Sequence, residues 1–173
     1  MLCRVFNIIF ILNFYFCCKE KEKNILIEKF PDGVKSAEIP YLIKNNDTVI
    51  NGTVKYFYHN GKLQDEFECI DGQKNGWYNQ YDSLGGILSK AMYRNNKVNG
   101  HSFSYYNSGN IEIEELLKDD SLLMLKNYFP SGKLYSMSIY VSKKEVKYYI
   151  IFDSTGRKVD ESGSYNSKDT LLN

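Results

Sequence analysis

Several ingredients of a catalytic or metal-bearing protein are scarce in this 173-residue chain. It has two histidines, His59 and His101, in separate segments, and no CxxC pair. Neither a zinc site nor a Ser-His-Asp arrangement is suggested by that set. Cys3, Cys17 and Cys18 all fall in the first eighteen residues, which leaves Cys69 alone in the body and no disulfide framework there. An excess of one charge is also missing: 22 Lys and Arg face 21 Asp and Glu, with the signs interspersed. Nucleic-acid binding by phosphate neutralisation needs a basic stripe, so no nucleic-acid partner is expected. There is no glycine-rich phosphate loop leading into a helix and no GxSxG elbow. No cofactor or metal is called for.

What the chain has is aromatic residues, at 15%, with 15 Tyr and 10 Phe but only one Trp and three Pro. Flat side chains with polar tips suit a pleated, half-buried surface, so the composition is that of a β protein. The length allows one domain of ordinary size or one short array of repeats.

The N-terminus reads as an address. Val5 to Phe16 is an apolar run interrupted by Asn7 and Asn13, preceded by Arg4 and closed by Cys17-Cys18. At about twelve residues it is shorter than the ~20 a spanning helix needs and fits a signal-peptide core. Residues 19–24, Lys-Glu-Lys-Glu-Lys-Asn, form a polar tether. A signal peptide ending in Cys and followed by a polar tether resembles the lipobox of bacterial lipoproteins. That resemblance implies cleavage after residue 17 and a lipid on Cys18, with Cys17 as the other acceptor. Tyr15 and Cys17 stand where the pattern has an aliphatic and a small residue. An uncleaved membrane anchor is the alternative, and in both readings the body lies outside the cytoplasm.

The body repeats. Gly52, Gly76 and Gly100 are spaced by 24 residues, and each is followed nine residues later by another glycine, Gly61, Gly85 and Gly109. Gly132 and Gly156 continue the second series at intervals of 23 and 24. Four residues before these glycines stand Phe57, Tyr81, Tyr105, Tyr128 and Phe152. Two residues after them stand Leu63, Ile87, Ile111 and Leu134, and eight after them Cys69, Tyr93, Leu117 and Tyr140. Offsets of two and eight share a parity, so on a strand these two columns point to one face.

Between the aromatic and apolar columns lies a turn rich in Asn, Asp, Ser and Gly, so each unit is strand, tight turn, strand. Turns near Asp71-Gly72, Asn95-Asn96 and Asp119-Asp120 join the units, and an irregular first unit centres on Phe30-Pro31-Asp32-Gly33, giving about six hairpins. Residues 111–126, IEIEELLKDDSLLMLK, have helical propensity. They keep the columns and alternate Ile111 and Ile113 with Glu112 and Glu114, which reads as two strands; a helix is the alternative.

The run Gly52 to Leu63, with Asn75-Gly76-Trp77 and Asn99-Gly100 opening later units, resembles the MORN repeat variant family. The resemblance covers about Phe30 to Tyr165, most strongly Gly52 to Gly109, within a repeat array assigned to residues 25–165, with 166–173 left as a tail. It implies an elongated, twisted, all-β sheet of tandem antiparallel hairpins, about 24 residues each. Leu123 and Lys147 stand where the opening glycine would recur, so the last units are degenerate. Such bacterial proteins are frequently labelled as antitoxins.

Phe57, Trp77, Tyr81, Tyr105 and Tyr128 are candidates for an aromatic binding face, the other reading being a stacked core. The glycines 61, 85, 109, 132 and 156 are the turn residues. Cys69 shares an apolar column and is expected to be buried and inert. Asp65, Glu66 and Glu68, then Glu112, Glu114 and Glu115, read either as paired acids for hydrolysis or as a solvated face. Together these features point to a non-enzymatic, lipid-anchored protein of the bacterial cell envelope, on the outer membrane or periplasmic face, that binds an unknown protein partner. An antitoxin or immunity protein and a glycan-active envelope enzyme are the alternatives.

Overall fold

A computed structural model describes residues 24–142 and 145–164. Cys18, the signal segment, residues 19–23 of the tether and the C-terminal tail lie outside the described residues. The body is all-β, as the repeat pattern predicts, with thirteen strands: β1 (Asn24–Lys29), β2 (Lys35–Lys44), β3 (Asp47–Ile50), β4 (Gly52–Phe57), β5 (Leu63–Ile70), β6 (Gln73–Tyr81), β7 (Ile87–Arg94), β8 (Lys97–Tyr105), β9 (Ile111–Lys118), β10 (Ser121–Tyr128), β11 (Leu134–Ser142), β12 (Glu145–Phe152) and β13 (Lys158–Gly163). They form one open antiparallel sheet in which twelve strands follow chain order, with β3 pairing β2 beside β4. At ~4.8 Å per strand the sheet runs on the order of 50 Å from β1 to β13. Residues 111–126, helix-like by propensity, form β9 and β10. The ladder to their neighbours overrides the local preference.

Two kinds of reversal alternate along the chain. At one end of the strands, six five-residue hairpins share one hydrogen-bond pattern. In residues 58–62, Gly61 N–H donates to Tyr58 O at 2.9 Å and Tyr58 N–H donates to Lys62 O at 2.8 Å. The same pair of bonds recurs at 30–34, 82–86, 106–110, 129–133 and 153–157. The five glycines expected to carry turns all have φ between +79° and +97°, a backbone conformation that suits a residue without Cβ. At the other end the joins are two residues long, with positive φ at Asn45-Asn46, Asp71-Gly72, Asn95-Asn96 and Asp119-Asp120. Asn and Asp tolerate that conformation, which is why these turns do without a glycine at every position.

The opening glycines have a different task. In β6, residues 75–77 lie opposite the single residue Glu68; in β8, residues 99–101 lie opposite Met92. Gly76 and Gly100 occupy the middle of these bulges with φ of +105° and +128°, a region essentially closed to residues bearing Cβ. The facing side chain also fills the space, since a Cβ on Gly76 would sit 2.7 Å from Glu68 Oε2 and one on Gly100 3.1 Å from Met92 Cβ. Where Leu123 and Lys147 replace the glycine, the bulge contracts to one extra residue. Loss of one bulge residue in β10 accounts for the single 23-residue interval. The following interval returns to 24 because Val141 adds an unpaired residue in β11.

The expected sharing of a face by the two apolar columns fails. In every hairpin the residue three after the turn glycine has no cross-strand partner: Ser36, Gln64, Leu88, Glu112, Tyr135 and Val159. One extra residue inverts the alternation beyond it. Leu63, paired with Phe57, therefore faces opposite to Cys69, whose side is shared by Tyr56 and Phe67. The same inversion separates Ile87 from Tyr93 and Ile111 from Leu117.

Burial is thin, as a single layer dictates. The buried side chains among the described residues are Ala37, Val54, Cys69, Leu116, Met124, Ile139 and Tyr148, together with Pro40. The first three lie on what is called here the front face, with Tyr56, Phe67 and Tyr78. Leu116, Met124, Ile139 and Tyr148 form a cluster with Met137 and Ile150 on the back face. The one-residue bulge at Leu123 flips the alternation of β10 and delivers Met124 to the back, against Leu116.

Substitution separates the two glycine roles. Gly109 has open space around its Cβ direction and φ of +85°, so Gly109→Val costs ~1–3 kcal/mol by backbone strain alone, and Gly109→Asn costs less. Gly100→Asn is expected to be as damaging as Gly100→Val, because Met92 and a φ outside the left-handed helical region both oppose it. Equilibrium urea unfolding measures all four, and equal rescue by Asn at both positions would contradict the assignment.

Candidate functional site

Equivalent residues of successive units lie two strands apart, ~9.6 Å, beyond the 4.5–7 Å at which rings touch. Among the described residues, no ring contact joins any two of Phe57, Trp77, Tyr81, Tyr105 and Tyr128. Ring stacking instead runs between adjacent strands. On the front face Tyr56, Phe67, Tyr78 and Tyr93 follow one another at centroid distances of 6.2, 5.5 and 5.9 Å. Lys74 Nζ covers the last three rings at 4.6, 4.5 and 5.4 Å. The Tyr78 hydroxyl donates to Asp65 at 2.8 Å. Burial first, and then the adjacent Asp65 carboxylate, holds the Tyr78 hydroxyl protonated well above the ordinary tyrosine range. Cys69 is buried nearby, and desolvation raises its thiol pKa against a smaller opposing pull from Lys74.

The back face of β6 to β10 carries a more exposed strip. Trp77 follows the bulge glycine of β6, and His101 takes the equivalent place in β8. Trp77 is 38% exposed and its ring lies 6.4 Å from that of Phe103. His101 stacks on Phe103 at 5.7 Å with 10° between planes. Lys90 Nζ lies 5.0 and 5.1 Å from the Trp77 and Phe103 centroids, within cation–π range of both.

Beside this strip each acid is held by its own partners. Glu114 accepts the Tyr128 hydroxyl at 2.7 Å and Lys126 Nζ at 3.1 Å, and His101 Nδ1 lies 3.3 Å away. Glu66 accepts the Tyr81 hydroxyl at 3.1 Å and Asn79 Nδ2 at 3.2 Å. Tyr81 and Tyr128, expected as binding-face residues, are thus tied by their hydroxyls to carboxylates on the preceding strand. Phe57 lies under Lys35 Nζ at 4.2 Å, and Tyr105 is half-buried. Trp77 alone of the five stands open on the strip.

Burial is the largest single influence on Glu114 and opposes its ionisation, but the bonds from Tyr128 and Lys126 and the charge of His101 outweigh it, leaving its pKa below the ordinary value. The carboxylates read as possible hydrolytic pairs are arranged differently. Glu66 and Glu114 serve separate tyrosines, Asp65 lies on the front face with Tyr78, and Glu68 packs over Gly76. Among the described residues no group of three or more His, Cys, Asp or Glu is placed to hold a metal ion. A groove of about 430 Å³ opens over β11 and β12, between Tyr135 and Tyr149 with Ser136 and Ser138.

In sequence terms His101 is only one of two scattered histidines, and neither Phe103 nor Lys90 belongs to a repeating column. The available signal was the pair Trp77 and His101, 24 residues apart immediately after bulge glycines. Their meeting through Phe103 depends on which face each bulge presents.

Two stretches match the MORN repeat variant, residues 50–68 and 98–119. Each covers one opening glycine, Gly52 or Gly100, the hairpin after it and most or all of the next strand, so the MORN-type signal coincides with the structural unit. The unit between them, with the turn Asp82-Ser83-Leu84-Gly85-Gly86, repeats the same backbone bonds. No curated protein matches the chain.

A depressed carboxylate pKa gives a testable pH dependence. The ionised Glu114 stabilises the fold fully above its unfolded value, near the ordinary 4.5, and that contribution disappears as pH falls through the lower folded value. Glu114→Gln should therefore be less stable at pH 7 and show a flatter loss of urea midpoint below pH 4.5. Parallel acid limbs for the two proteins would contradict the Glu114 network.

Proposed function

We propose that this chain is a non-enzymatic protein-interaction module of a bacterial cell envelope, tethered by lipid on Cys18, and that its contact surface is the back-face strip around Trp77, Phe103 and His101. MORN-type repeats are commonly protein- or membrane-interaction modules. The observation that carries the choice of surface is the exposed Trp77 beside Phe103, with Lys90 over both rings. Tryptophan and tyrosine dominate binding energy at protein interfaces because they bury a large area with few rotatable bonds. Here the surrounding polar groups are already fixed by bonds within the sheet, so docking would order few further side chains and the entropic cost would be low.

Interspersed charge supports a protein partner over a polyanion. The sheet runs lengthwise with its binding strip across the middle strands, which suits a partner laid along the face. Tethering at the N-terminus would leave that face free.

The test is affinity capture of the tagged full chain from its own detergent-solubilised envelope, with wild type and Trp77→Ala compared. Truncating a hot-spot aromatic costs ~2 kcal/mol or more, roughly thirtyfold in affinity, so the partner should be lost while far-ultraviolet circular dichroism stays unchanged. Full retention of the partner by Trp77→Ala would reject this surface. In the same cells Cys18→Ala should abolish incorporation of a fatty-acid analogue, and continued incorporation would move the acceptor to Cys17.

A further inference from the structure

The two ends of the sheet differ in chemistry. β13 is guarded in the manner of an exposed edge: it carries Lys158, Asp160 and Glu161, and its register with β12 is broken by the unpaired Val159. β1 has neither device within its exposed apolar stretch. Ile25, Leu26 and Ile27 are 57%, 50% and 44% exposed. Because consecutive strand residues point to opposite faces, these three put apolar surface on both sides of the outermost strand. They pair regularly with Pro40, Ile39 and Glu38 of β2, and the other edge of β1 is open.

Pairing of β1 with a second copy of itself is opposed by charge. An antiparallel two-fold pairing joins residues of equal parity, and the run Lys19-Glu20-Lys21-Glu22-Lys23 with Glu28-Lys29 has Glu at even and Lys at odd positions. A register centred on Ile25 or on Leu26 would set Lys21 or Lys23 against Lys29, like charge against like, which is destabilising. What lies close to β1 along the chain is the apolar N-terminal run and Cys18. Six residue steps separate Cys18 from Asn24, a reach of at most ~21 Å. A lipid on Cys18 therefore holds the β1 end within that distance of a bilayer.

We infer that the β1 edge is a membrane-seating surface: Ile25, Leu26 and Ile27 rest among lipid headgroups, so that the sheet stands on the membrane by β1 and points β13 away. Hydrated headgroups satisfy the free N–H and C=O groups of the edge, which the hydrocarbon core would not. Four and six strand spacings separate β1 from β6 and β8, so the Trp77 and His101 strip would ride ~20–30 Å above the surface. The inference rests on the lipid-anchored reading.

The experiment uses the full lipidated chain in vesicles of phosphatidylethanolamine and phosphatidylglycerol, with an environment-sensitive fluorophore at Leu26 or at Val159. Lipids carrying a quencher at the headgroup end of the acyl chain should extinguish emission from Leu26 and leave Val159 unaffected. In the chain labelled at Leu26, Ile25→Ser with Ile27→Ser should keep the chain anchored but free the probe from quenching. A chain that floats with the vesicles while Leu26 stays unquenched overturns the seating surface and spares the anchor. A chain that incorporates no fatty-acid analogue and does not float with vesicles overturns the anchor itself, and with it this orientation.

Discussion

A sheet one layer thick has no second layer to cover it, so each strand depends on its two neighbours for nearly all its order. That constraint makes the reversals between strands the controlling feature of the molecule. A hairpin that failed to close would leave the strands on either side without a ladder, and the small buried clusters could not compensate. The chain meets the demand with two turn types used in strict alternation. Five-residue hairpins with a glycine at positive φ close one end, and two-residue turns built from Asn, Asp and Gly close the other. Successive hairpins are also bonded to one another: the Tyr58 hydroxyl donates to Tyr81 O at 2.7 Å, and Tyr106 repeats the bond to Tyr128 O one unit pair later. Array cohesion is therefore nearest-neighbour in character, as in other repeat proteins.

The bulges decide what the two faces become. A bulge of two extra residues preserves alternation and keeps Trp77 and His101 on the back face; a bulge of one inverts it and brings Met124 into the back-face cluster. Substitution of the opening glycine thus does more than mark a degenerate unit. It moves the apolar core from the front face in the early strands to the back face in the later ones, and the exposed aromatic strip lies where the change occurs. Rings that are buried elsewhere in the sheet by their neighbours are there left accessible.

Much of this was legible in the sequence. The glycine series located five of the hairpins and the irregular Phe30-Pro31-Asp32-Gly33 unit the first, the Asn, Asp and Gly turns located three of the joins, and the 24-residue period gave the topology. Asn45-Asn46 escaped notice because the first unit carries extra residues between its strands. Facing was the part that could not be counted from parity, since a bulge three residues after each turn glycine inverts it. For the same reason the aromatic columns looked like stacks, whereas the rings that meet are Tyr56, Phe67, Tyr78 and Tyr93 on adjacent strands. Two-strand separation between equivalent positions is fixed by hairpin geometry, and no choice of side chain can close it.

The central claim is that the hairpins are laid side by side in one open sheet. Spin labels at Asn60 and Ser154 sit on the second and sixth hairpins, eight strand spacings apart, and pulsed dipolar spectroscopy should return a distance of roughly 40 Å. A distance below about 25 Å, as a closed barrel or a folded-back globule of this size would give, would contradict the account.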